Sequence, residues 1–196
     1  VNRIRGIMAS ISIAGLCLAT GFLITSAAAA TDQTANPPSI NAVAVTARYS
    51  PLGATANGPS GPATARFTAT PYCCPSTAVV LTPTQISAET DFQWMHLGLP
   101  WDNTSVNAVT VCYAISPTAA AGRTYISQTR LTSMTTPNSA LVMLDDGTDR
   151  TTLGPLCYTV PASFTPAGTL TLGLKVVFGS TSDRITIGMV SISGMS

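Results

Sequence analysis

Hydrophobic and polar residues alternate most clearly near the end of the chain. Leu170, Leu172, Leu174, Val176 and Phe178 share one parity, while Thr171, Gly173 and Lys175 take the other. Successive side chains of an extended strand point to opposite faces, so this pattern predicts a strand with one buried face. Ile185, Ile187 and Met189 repeat it in a last strand. Upstream, Gln93 to Leu99 sets Met95, Leu97 and Leu99 on one face. Val106 to Ser116 does the same with Val109, Val111, Tyr113 and Ile115. Further strands are predicted at Ala78 to Leu81, Tyr125 to Met134, Ala140 to Leu144 and Leu156 to Val160. Turn residues separate these runs at regular intervals, and no segment sustains a 3.6-residue period. The expectation is an all-β fold, an antiparallel β-sandwich of jelly-roll type.

The chain's start has a different texture. Asn2-Arg3-Ile4-Arg5 is cationic, Ile7 to Thr25 is apolar, and Ser26 to Ala30 supplies small residues. That order predicts a cleaved signal helix over residues 1–30 and an extracytoplasmic destination, with no stable membrane insertion after cleavage. A membrane anchor fits less well, because no basic stop-transfer cluster follows. Val1 fits a bacterial alternative start codon read literally. Residues 31–75 are rich in Pro, Gly, Ala and Thr. They are read as a loose lead-in with one strand near Ile40 to Arg48, or as a linker. Residues 76–196 are assigned to the sandwich.

Charge narrows the partners. Without Arg3 and Arg5 the chain keeps seven basic residues against eight acidic ones. So sparse a charge leaves no basic patch for phosphates, and nucleic acid is discounted as a partner. Cleavage also leaves four cysteines: Cys73, Cys74, Cys112 and Cys157. An even count in an exported chain reads as disulfides. A zinc site would need four converging thiolates without C-x-x-C spacing.

Two segments carry matching cysteines. In Val111-Cys112-Tyr113 and Leu156-Cys157-Tyr158 the cysteine opposes the apolar face and the tyrosine joins it. If the strands are neighbours, Cys112 and Cys157 meet on one sheet surface. Cys73 and Cys74 then stay open to three states: free thiols, a vicinal bond, or pairing with the other two.

Asp145, Asp146 and Asp149 gather around an Asp-Gly pair. The plain reading is a hairpin turn; the sharper one is a calcium site, and no other cofactor is expected. Trp94, His96, Trp101 and Asp102 cluster in sequence. Phe92, Trp94 and His96 alternate away from the apolar face, and Trp94 and Trp101, if exposed beside the polar His96 and Asp102, would form a platform on which sugar rings stack. The competing reading makes the tryptophans structural, with Trp101 plugging one end, and at least one is expected in the core. Catalysis has little material. His96 is the only histidine, no G-x-S-x-G elbow exists, and a glycosidase pair would need Glu89 with an aspartate. Asn103-Thr104-Ser105 is a chance sequon in such a chain.

Leu97-Gly98-Leu99-Pro100-Trp101-Asp102-Asn103-Thr104-Ser105-Val106-Asn107-Ala108-Val109-Thr110-Val111 resembles a pattern in uncharacterised exported bacterial β-sandwich proteins. The resemblance implies a small jelly-roll module, similar in architecture to carbohydrate-binding domains, and brings no assigned activity. The expected function is an exported, non-enzymatic binding or structural protein whose partner is unknown. A glycan or other cell-surface partner is one expectation, and a secreted hydrolase the other alternative.

Overall fold

The structure is a computed structural model that describes residues 42–56, 65–73, 76–88, 91–102, 105–116 and 123–196. The signal helix expected over residues 1–30 lies outside the described residues, as do Cys74, Glu89, Asn103 and Thr104.

The described residues form eleven strands: β1 (Ala44–Tyr49), β2 (Thr55–Ala56), β3 (Arg66–Pro71), β4 (Val79–Gln85), β5 (Phe92–Leu99), β6 (Ser105–Ser116), β7 (Tyr125–Met134), β8 (Ala140–Asp146), β9 (Leu156–Phe164), β10 (Thr169–Val177) and β11 (Arg184–Met195). One sheet runs β3-β4-β11-β6-β9, with β1 added on β11, and the other runs β2-β5-β10-β7-β8. Every pairing is antiparallel.

Nested pairing explains this order. β7 pairs β8, β6 pairs β9, β5 pairs β10, and β4 pairs β11. The eight strands are thus one long hairpin folded over so that its successive rungs alternate between two sheets. That is the jelly roll the alternation predicted.

The core lies between the sheets, and period two puts the residues there. Met95, Leu97 and Leu99 of β5 and Leu172, Leu174 and Val176 of β10 are buried from one side. Val109, Val111, Ile185 and Ile187 are buried from the other. At one end Phe67 and Phe178 meet with ring centroids 6.1 Å apart. Tyr158 of β9 crosses between the layers, its hydroxyl 2.7 Å from the Thr129 hydroxyl on β7. Burial pushes its phenol up to about 12.

Four expectations are corrected. Strands β1, β2 and β3 fall within residues 31–75 and pair into the sheets, so the sandwich does not begin at residue 76. β8 reaches Asp146, two residues beyond the expected end. The Asp-Gly pair is no hairpin turn, because β8 and β9 lie in different sheets and the segment between them crosses over. Met189 is exposed while Ile185 and Ile187 are buried, because an irregularity between Ile187 and Val190 switches the phase of β11.

β11 is paired on one side by β4 at Ile185–Ile187 and by β1 at Val190–Met195. At its end the Ser196 amide donates to the Val43 carbonyl at 3.1 Å, and the Val43 amide donates to the Ser196 carbonyl at 3.4 Å.

Candidate binding face

The four residues that cluster in sequence are separated in space. Trp94 and His96 lie on the outer face of β5, half-buried. Trp101 is 8% exposed and belongs to the core, against Gly194 at the end of β11. Asp102 is exposed beside it and helps, after burial, to raise the Tyr49 phenol, whose hydroxyl donates to the Pro100 carbonyl at 2.5 Å.

The face around Trp94 is built from one cross-sheet row. Thr55 of β2 lies opposite His96, His96 opposite Gly173 of β10, Gly173 opposite Arg130 of β7, and Arg130 opposite Asp145 of β8. The next row sets Trp94 opposite Lys175 and Lys175 opposite Gln128. Gly173 leaves a gap in the first row, and the Trp94 indole leans into it. A Cβ at residue 173 would sit 3.2 Å from both Cε3 and Cζ3 of Trp94 and 3.6 Å from His96 Nδ1.

Charged groups frame the indole. The Arg130 guanidinium stands 4.9 Å from the Trp94 ring centroid. Asp145 fixes it there with two contacts, Nη2 to Oδ2 at 2.8 Å and Nε to Oδ1 at 3.2 Å, and Gln128 Nε2 donates to the same Oδ1. A two-pronged arginine–carboxylate pair fixes orientation as well as proximity. The Arg130 hydrogen bonds hold the Asp145 carboxyl below its usual range against the opposing effect of burial. The His96 ring lies within 15° of parallel to Trp94, with centroids 6.2 Å apart. Burial pulls its pKa down, which favours the neutral imidazole with one donor and one acceptor nitrogen. The Lys175 ammonium sits 4.0 Å from the centroid of Phe92.

The three aspartates do not converge. Asp145 and Asp146 are successive strand residues and point to opposite faces. Asp146 faces inward and binds Arg150 at 2.5 Å, while its other oxygen accepts from the Thr148 hydroxyl at 2.6 Å. Burial would raise Asp146, but these hydrogen bonds outweigh it and keep the carboxyl low. Asp149 is exposed in the crossover. Among the described residues no group of three metal-ligating side chains gathers.

The opposite sheet carries the other predicted pair. Cys112 and Cys157 are direct partners across β6 and β9, with Cα atoms 3.9 Å apart, and they are bonded to each other. The bond lies along a shallow groove of about 280 Å³ whose walls include Tyr113, Ala114, Pro155 and Leu156. Cys73 is disulfide-bonded as well. No helix among the described residues is long and apolar enough to cross a membrane.

Arg130, Gln128, Gly173 and Lys175 join Trp94 only through register. The alternation of β10 put Gly173 and Lys175 on the outward face, which was the one signal available. Which residues of β5 and β7 lie beside them depends on pairing that a single sequence does not state.

No protein-family model matches this chain, and no curated protein matches it. Solved structures do. One is the low affinity xylan binding module CBM86 from Roseburia intestinalis, at 11% identity, covering 78% of this chain and 96% of that one with a TM-score of 0.41. Another is a family 29 carbohydrate binding module from Piromyces equi, at 10% identity, 79% and 91% coverage and a TM-score of 0.37. A further family 29 module gives 8% identity, 76% and 89% coverage and a TM-score of 0.36. No residue's role is carried over from them.

Proposed function

We propose that this chain is an exported, non-catalytic binding protein that holds a glycan on the outer face of the β2-β5-β10-β7-β8 sheet. The observation that carries this reading is Trp94. A flat, half-buried indole lies among Arg130, Gln128, Asp145 and His96, which together offer donors and acceptors beside an aromatic surface. A sugar ring presents the complementary pair, an apolar C–H face and an edge of hydroxyls. Asp145 is suited to accepting hydrogen bonds and poorly suited to giving up a proton, since Arg130 keeps it ionised. Trp101, by contrast, serves the fold.

Titration of the protein with soluble cell-wall glycans tests this. Trp94→Ala is expected to weaken binding several-fold, since one stacked ring contributes on the order of 1 kcal/mol. Thermal unfolding of the variant should stay close to that of the parent. Unchanged affinity in the Trp94→Ala variant, or no binding to any glycan by the parent, overturns the reading.

A further inference from the structure

We infer that the glycan held on this face carries carboxylates, and that Lys175 selects it. This rests on the glycan reading above and adds the charge of the ligand.

Lys175 is the only lysine of the chain. It lies on β10, a central strand flanked by β5 and β7, directly opposite Trp94. A lysine on an edge strand blocks unwanted pairing, but a central strand has no free edge to guard. The other cation on the face, Arg130, is matched by Asp145. Asp149 lies toward Tyr125 at the strand ends and forms no ion pair with a described residue. No described carboxylate pairs with Lys175, whose ammonium is held only over the Phe92 ring. A compact ammonium keeps donors free after one cation–π contact, so it can meet an anion brought by the ligand. Register puts the Lys175 backbone opposite Trp94, with its ammonium over Phe92, while the indole leans the other way toward Gly173. A glycan chain with one ring stacked on Trp94 and running along β5 would therefore carry its next residue past that ammonium, and a uronate places a carboxylate there.

The test uses polygalacturonate, its fully methyl-esterified form and dextran sulfate, with the full-length protein. Polygalacturonate should bind, esterification should cut affinity about tenfold, and Lys175→Gln should cut it about fivefold for the acid form alone. Lys175→Arg should keep most of the binding, which separates charge from any folding defect in the Gln variant. Trp94→Ala should weaken binding to both polygalacturonans several-fold. If acid and ester bind alike and Lys175→Gln changes nothing, the glycan reading stands and the charge inference falls. Binding to dextran sulfate without polygalacturonate overturns the choice of carboxylate. No binding to any of the three overturns this inference, and the glycan reading is then decided by the neutral cell-wall glycans.

Discussion

Gly194 and Gly173 show how much a single missing side chain sets. A Cβ at Gly194 would meet the Ser105 carbonyl oxygen at 1.8 Å and Trp101 Cζ2 at 2.8 Å, so the β11 backbone would have to move. Gly194→Ala is expected to cost about 1–3 kcal/mol, the range for overpacking a fitted core. Denaturant unfolding would show it as a lower midpoint at constant slope. At Gly173 the neighbour is the edge of a half-buried indole, which can tilt away. Gly173→Ala should leave the unfolding midpoint nearly unchanged and weaken glycan binding, because the ring no longer lies in its gap. Titration separates three other groups. His96 is depressed by burial, so its neutral form supports the fold fully above about pH 6.5 and that support is lost as pH falls below it. Asp145 and Asp146 are depressed by their arginines and hydrogen bonds, so their support is present above about pH 4 and is lost through lower pH. Melting temperature against pH should therefore fall in two stages, and His96→Gln should remove the first.

Strands β4 to β7 and β9 to β11 were legible because each buries one face deeply enough to mark the sequence, while β8, which has no buried residue, was legible only as a short apolar run. Even the paired cysteines were legible, since Cys112 and Cys157 sit on the polar parity of matching strands. β2 and β3 were hidden by composition, and β1 was read only as a strand near Ile40 to Arg48 in a loose lead-in. β1 buries only parts of Val45, Ala47 and Tyr49, and its remaining residues are exposed, so small and polar residues satisfy it. Backbone pairing, which has no sequence signature, accounts for its place on β11. Met189 was misread for a related reason, since a bulge changes parity without marking the sequence. Because β1 covers Val190–Met195 of β11, removing the chain through Tyr49 should bare a long strand edge. Hydrogen exchange should then speed up at the β11 amides that face β1, and the truncated protein should self-associate in sedimentation. Slow exchange there would show that β1 is dispensable.

The long hairpin decides what the disulfide does for the molecule. Cys112 and Cys157 are 45 residues apart, and the loop between them contains β7 and β8. The bond therefore closes the hairpin tip, which carries Arg130 and Asp145, although it lies on the other sheet. Removing such a link costs roughly 2–4 kcal/mol, which lowers a melting temperature on the order of 10 °C for a domain of this size. Cys112→Ala with Cys157→Ala should show that loss by calorimetry. An unchanged melting temperature would mean that β6 and β9 hold the tip by pairing alone. The candidate site was less legible than the fold. Trp94 and His96 were readable from parity, but Trp101 and Asp102 shared only their neighbourhood in sequence. The far half of the face comes from β7, β8 and β10, which reach Trp94 through tertiary pairing.

The mutual hydrogen bonds of Val43 and Ser196 have a topological consequence. The two ends of the sandwich are side by side, so the backbone is a ring opened at one seam. A few glycines joining Ser196 to Ala42 should close that seam without strain, and a cut in the crossover between β8 and β9 would give the ring new ends. Such a permutant should reproduce the parent's circular dichroism. It would also move the chain ends to the crossover, letting the same module be grafted in line or sideways on another protein.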